Sequence, residues 1–159
     1  MKDFKKFKNI IYQIIGAAMT VHREMDYGLA EEVYNECLCL ELDNLGISNV
    51  SEQKLPVFYK NKVLNKHYRM DIVVGDIIIE LKSVKEIIPA HRAQLFNYLR
   101  ISKKPVGILI NFGEPKLKGE RYAYIEESNQ CVLLDKDMEL LFENDVDWEF
   151  EDNNKNIYE

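Results

Sequence analysis

The stretch His67-Tyr-Arg-Met-Asp71-Ile-Val-Val-Gly-Asp-Ile-Ile-Ile-Glu80-Leu-Lys82 decides how this chain is read. Gly75-Asp76 lies between two β-branched apolar runs, and glycine at the first of two turn positions is the signature of a type II′ hairpin. Such a turn faces Val74 with Ile77 and carries the pairing through Val73–Ile78 and Ile72–Ile79 to Asp71–Glu80. Directly opposed residues share a face, with β-carbons roughly 4.5–5.5 Å apart. Period-two alternation adds Lys82 to the face of Glu80. Two facing carboxylates repel unless a cation sits between them. A divalent metal is the natural cation, and a lysine beside it points to hydrolysis. The plainer alternative is a solvated hairpin with a polar face. Against it, Ile77, Ile78, Ile79 and Leu81 are apolar on both sides of the alternation, as in an interior strand. A charge placed there needs a partner, because an unpaired buried charge costs several kcal/mol.

Outward from the hairpin, the pattern predicts helices before it and a helix–strand unit after it. Phe4, Phe7, Ile11, Ile14, Ile15, Ala18 and His22 keep helical spacing over residues 3–25. Asp26-Tyr27-Gly28 breaks that run, and a second helix spans about 29–45 before Gly46. Strands are expected over 52–60, 62–74 and 76–82. Ile88-Pro89 opens a helix to about Ser102, with proline tolerated in the first turn, and residues 106–111 read as a buried strand. The order α-α-β-β-β-α-β gives an α/β chain of the α+β type, a mixed sheet flanked by helices. Residues 121–125 and 131–134 suggest a further strand pair. The expected division is one main domain over 1–115, extra strands within 116–142 packed on it, and an acidic tail over 143–159.

Bulk properties narrow the class. The chain has 159 residues, enough for one real core, with 47% hydrophobic and 30% charged residues. Cys37, Cys39 and Cys131 form no even disulfide set and no Cys-x-x-Cys spacing, so they read as packing thiols in a reducing compartment. Lys5, Lys6 and Lys8 before an apolar run imitate a signal peptide, but Gln13 interrupts it and the helical pattern continues. No stretch approaches the ~20 apolar residues of a membrane span. The expectation is a cytoplasmic protein with no membrane partner. The net charge of −6 is unevenly spread: residues 1–113 carry 16 basic and 13 acidic side chains, and residues 114–159 carry 5 and 14. The acidic pI therefore counts only weakly against nucleic-acid binding by the front of the chain.

Three further places carry possible chemistry. Glu31 falls within the inward wedge of Tyr34, Leu38, Leu42 and Leu45, whereas Glu32, Glu36 and Asp43 lie opposite. It is either a helix-start glutamate stabilised by the dipole or a third carboxylate for the metal. His91, Gln94 and Tyr98 form one stripe of the third helix. That stripe is either a solvated face or a set that contacts substrate phosphate and positions Lys82. His22 lies on the apolar face of the first helix, where a satisfied core histidine is the commoner outcome; its nearness to the Gly28 turn keeps it a candidate.

Taken together, Gly28-x-x-Glu31-x-x-Tyr34, Asp71, Glu80-Leu-Lys82 and Gln94-x-x-x-Tyr98 resemble the GxxExxY proteins of the PD-(D/E)XK nuclease superfamily. The resemblance spans roughly residues 10–115 and includes Val21-His22-Arg23 and Leu109-Ile-Asn111-Phe-Gly113. Met70 stands where the family has a proline before the aspartate, a position that is no metal ligand. The resemblance implies a restriction-endonuclease-like core and a Mg²⁺- or Mn²⁺-dependent nuclease that hydrolyses phosphodiester bonds, of DNA rather than RNA, through a metal-activated water. It implies Asp71, Glu80 and Lys82 as catalytic, and Glu31, Asp71, Glu80 and the Leu81 carbonyl as metal ligands. Gln94, Tyr98, His91, His22 and Tyr34 become supporting or substrate contacts. A front part lacking a strong basic stripe suggests a homodimer or larger complex that completes the groove. The alternative is a catalytically silent nucleic-acid-binding or regulatory module on the same fold.

Overall fold

The isoleucine-rich hairpin becomes the middle of a six-stranded mixed sheet with strand order β1-β2-β3-β4-β5-β6. The computed structural model describes residues 3–141, so the acidic tail expected over 143–159 lies outside the described residues. The strands are β1 (Val50–Tyr59), β2 (Lys62–Val74), β3 (Ile77–Lys82), β4 (Val106–Asn111), β5 (Lys118–Ile125) and β6 (Gln130–Leu134). The helices are α1 (Lys8–Met25), α2 (Glu31–Asn44) and α3 (Pro89–Ser102). All neighbouring strands pair antiparallel except β3 and β4, which are parallel and joined through α3. A parallel pair requires such a crossover. β5 and β6 continue the same sheet.

Periodicity explains which faces are covered. Ile11, Ile14, Ile15, Ala18 and Val21 give α1 a buried stripe, and Tyr34, Leu38 and Leu42 give α2 another. These pack with Ile72, Ile79, Ile108 and Ile110 on one face of the sheet. Leu95, Tyr98 and Leu99 of α3 pack with Met70, Ile78, Leu109 and Tyr122 on the other. A sheet covered on both faces yields the continuous apolar runs seen in β3 and β4.

Several local expectations needed correction. The first helix does not run unbroken from residue 3: a 3₁₀ turn, Lys5–Phe7, precedes α1. Leu45, placed in the inward wedge of α2, is the residue after its last turn and is half exposed. Gly75 has φ +56° and Asp76 does not share a positive φ, as a type II′ rather than I′ turn requires. The β2–β3 ladder, however, ends at Ile72↔Ile79 and does not continue to an Asp71–Glu80 backbone pair. Met70 faces α3 while Ile72 faces α1 and α2, so the alternation slips phase at Asp71. Opposite this point on β1, Glu52 takes a left-handed backbone (φ +55°). Side chains replace the missing ladder bonds there.

Candidate active site

At this phase slip, the Asp71 N–H donates to Glu80 Oε1 (3.1 Å) and the Leu81 N–H donates to Asp71 Oδ2 (2.8 Å). Each carboxylate thus takes a backbone donor from the other's strand. The Asn35 amide of α2 donates to the Asp71 carbonyl (3.0 Å), fixing β2 from the opposite face. Glu80 is only 2% exposed. Burial first, and then the Asp71 charge, push its pKa well above the usual carboxylate range. Burial also raises Asp71, to about 6; the Leu81 N–H opposes this, the charges of Glu52 and Glu31 add to it, and Lys82 opposes it. Among the described residues, no Lys or Arg makes an ion pair with either carboxylate.

Lys82 stands two residues beyond Glu80, and its Nζ donates to Gln94 Oε1 (2.7 Å). Gln94 Nε2 in turn donates to the Tyr98 hydroxyl (2.9 Å). The i, i+4 spacing on α3 makes that relay, and burial raises the Tyr98 phenol. The structure therefore brings Asp71, Glu80, Lys82, Gln94 and Tyr98 together. Glu31 begins α2, where a carboxylate suits the helix dipole, and it reaches Asp71 as a neighbouring like charge. Among the described residues, no three His, Cys, Asp or Glu side chains converge as a metal cluster.

His91, His22 and Tyr34 have structural partners. His91 Nδ1 accepts from the Ile88 N–H (3.1 Å) and so caps the start of α3. Burial and then the Lys82 charge hold its pKa below the ordinary value. His22 Nε2 is hydrogen-bonded to the Glu114 carbonyl (2.9 Å). The Tyr34 hydroxyl donates to the Asp26 carbonyl (2.6 Å) and accepts from the Leu29 N–H (3.0 Å), while its ring stacks on Phe112 at 4.4 Å. These contacts tie the Gly28 turn to the loop after β4, and the Gly28 N–H donates to the Phe112 carbonyl (3.1 Å).

Asn111 holds together the loops that follow β3 and β4. It is fully buried and fully used: Oδ1 accepts from the Val84 and Gly113 N–H groups (both 3.0 Å), and Nδ2 donates to the Val84 carbonyl (2.9 Å) and Glu114 Oε2 (2.8 Å). It clamps the chain leaving β3 just after Lys82 to the chain leaving β4. A β-carbon at Gly113 would lie 2.2 Å from the Val84 backbone, so only glycine permits that approach. A second buried carboxylate, which no local pattern marks, lies on β5. Glu120 accepts from Arg92 Nε (2.6 and 3.0 Å) and from the Tyr122 hydroxyl (3.0 Å). Burial and the Glu120 charge raise the Tyr122 phenol.

The family model of the PD-(D/E)XK nuclease superfamily matches residues 8–122, which include all these residues. The chain belongs to the PD-(D/E)XK nuclease superfamily. Its sheet and helices are consistent with the restriction-endonuclease-like fold, its members act on nucleic acid, and they generally use divalent metals. No curated protein matches the chain. Among solved structures, the crystal structure of SSO0001 is similar at a TM-score of 0.43 and 16% identity, over 78% of this chain. The chain spans 64% of that protein's length. Among the described residues, no helix is long and apolar enough to cross a membrane.

Proposed function

We propose that this protein is a metal-dependent nuclease of the GxxExxY type that hydrolyses phosphodiester bonds of DNA. The observation that carries the reading is the buried Asp71–Glu80 pair, which lacks a cationic partner among the described residues and stands beside Lys82. The donors are oxygens, the set that hard cations prefer. The raised carboxylate pKa values support this reading, because burial and mutual repulsion disfavour two bare charges side by side. Two carboxylates suffice for magnesium, which keeps several waters. The residues therefore fit Mg²⁺ or Mn²⁺, which Asp71 and Glu80 would hold with the Leu81 carbonyl and Glu31 assisting. When bound, such an ion supplies Lewis acidity toward phosphate and makes water more acidic.

The chain's own groups do the rest. Lys82 orients the attacking water and offsets the negative charge that develops at phosphorus. Gln94 holds the Lys82 ammonium in place, and Tyr98 holds Gln94. Asn111 and Gly113 fix the backbone just beyond Lys82. The test is cleavage of single- and double-stranded DNA, linear and circular, with Mg²⁺ or Mn²⁺, alongside Lys82→Ala and Asp71→Ala. The expected result is metal-dependent cleavage that both folded variants lose. Cleavage that persists in both variants contradicts the mechanism, and absence of metal-dependent cleavage contradicts the function.

A further inference from the structure

The β1–β2 hairpin extends well past the end of the sheet that holds Lys82. β3 stops at Lys82, and the Ile72↔Ile79 register carried forward places that level near Arg69 of β2. Beyond it, β2 pairs only with β1, the edge strand: Lys62, Val63, His67 and Tyr68 have partners there, and a bulge interrupts the register opposite Val57. The β1 side of the arm, residues 55–59, spans roughly 17 Å. Its tip carries large exposed apolar side chains: Phe58 is 62% exposed, Tyr59 65%, Val63 61% and Leu64 42%, with the Lys60 ammonium over the Tyr59 ring. An exposed apolar cluster of this kind marks a contact surface.

The charge of the arm selects the partner. From Gln53 to Met70 there is no Asp or Glu, yet there are five basic residues: Lys54, Lys60, Lys62, Lys66 and Arg69. This occurs in a chain whose net charge is −6. The basic track is joined to the site by contacts. Lys66 Nζ lies 5.3 Å from the centre of the Tyr68 ring, and the Tyr68 ring lies 5.6 Å from that of Tyr98, the residue that supports Gln94 and Lys82. An open cleft of about 530 Å³ between the root of the arm and the end of α3 adds Arg100 and Lys103. The major groove of B-form DNA admits a two-stranded β-ribbon, whereas that of A-form RNA is too narrow.

We propose that residues 57–66 form an arm that enters the major groove of double-stranded DNA, with Lys60, Lys62 and Lys66 on its phosphates. The proposal rests on the nuclease reading for what happens at the site, but its test does not. Binding of a fluorescein-labelled 30-base-pair DNA duplex is measured by anisotropy in EDTA across a salt series, for the wild type and K60E/K62E/K66E. The variant is expected to bind at least tenfold more weakly, with a salt slope smaller by about 2–3, one released counterion per lost contact. An RNA duplex of the same length is expected to bind at least tenfold more weakly than DNA.

Hydrolysis of a small diester, thymidine 5′-p-nitrophenyl phosphate, is followed in parallel. The variant is expected to match the wild type there, because the arm does not reach so short a substrate. A wild type inactive on that diester and on DNA counts against the nuclease reading alone, and the EDTA binding result still decides the arm. Unchanged duplex affinity and slope in the variant overturn the arm, as does equal binding of the RNA duplex or failure of the wild type to bind duplex DNA. Loss of self-association in the variant with unchanged DNA binding also overturns it, and assigns the surface to a second copy of this chain.

Discussion

Glu80 and Glu120 occupy one row of the sheet, either side of Leu109, and both are nearly inaccessible, at 2% and 4% exposed. Their surroundings are opposite. Glu120 accepts two hydrogen bonds from Arg92 and one from Tyr122, so its charge is matched where it is made. Glu80 faces a second carboxylate and receives one backbone N–H. Equal burial thus serves two purposes. A carboxylate with its own guanidinium is a finished structural contact; a carboxylate facing another lacks a cationic partner among the described residues, and in the proposed nuclease a divalent cation would supply it.

Removing each carboxylate in turn separates the two environments. Glu120→Ala removes the carboxylate that Arg92 and Tyr122 share, and because Arg92 is partly exposed it is expected to cost about 1–3 kcal/mol in urea unfolding. Glu80→Gln removes a repulsion and is expected to raise the stability of the metal-free protein. Equal losses in both variants would make Glu80 a structural residue like Glu120. The next effect falls on activity. Lys82→Ala is expected to lower DNA cleavage about 100–1,000-fold, the size seen when a group stabilising transition-state charge is removed, with an unchanged melting temperature. Arg92→Ala should do the reverse, losing stability while the folded fraction keeps its activity.

The Asp71–Glu80 pair also sets a pH response. Asp71 and Glu80 have folded-state pKa values above their ordinary ones, Asp71 at about 6. Between about pH 4 and 6 the native state therefore binds more protons than the unfolded chain, and metal-free stability falls as pH rises through that window. For Asp71 this amounts to on the order of 2–3 kcal/mol. Denaturant titrations at a series of pH values check it, and saturating Mg²⁺ should flatten the decline. A rise in metal-free stability across that window would contradict the arrangement. The smallest effect belongs to His91→Ala. Losing its bond to the Ile88 N–H is expected to cost about 1 kcal/mol of stability, with cleavage by the folded protein little changed.

How far these features were legible in the sequence follows from their range. The Gly75-Asp76 turn, the Ile88-Pro89 helix start and the buried run at residues 106–111 are local patterns, and the structure places them within a residue or two of expectation. The Lys82–Gln94 contact follows from strand alternation combined with one helical stripe. The phase slip between Met70 and Ile72 was not legible, because nothing in the residue types marks an alternation that side chains interrupt. The Arg92–Glu120 pair joins α3 to β5 across 28 residues, and no spacing rule connects them. Asn111 and Tyr34 could be quoted as motif residues, but their work is in the loops they join.

The proposed nuclease requires the Asp71–Glu80 pair to take a cation. The direct measurement is calorimetric titration of Mn²⁺ into the protein near pH 6, in two buffers of different ionisation enthalpy. Binding with net proton release is predicted for the wild type, because the ion displaces protons held at raised pKa values. Both the binding and the release should vanish in the folded Asp71→Asn, Glu80→Gln double variant. Mn²⁺ binding that survives in that variant, or a wild type that binds none, would contradict the account.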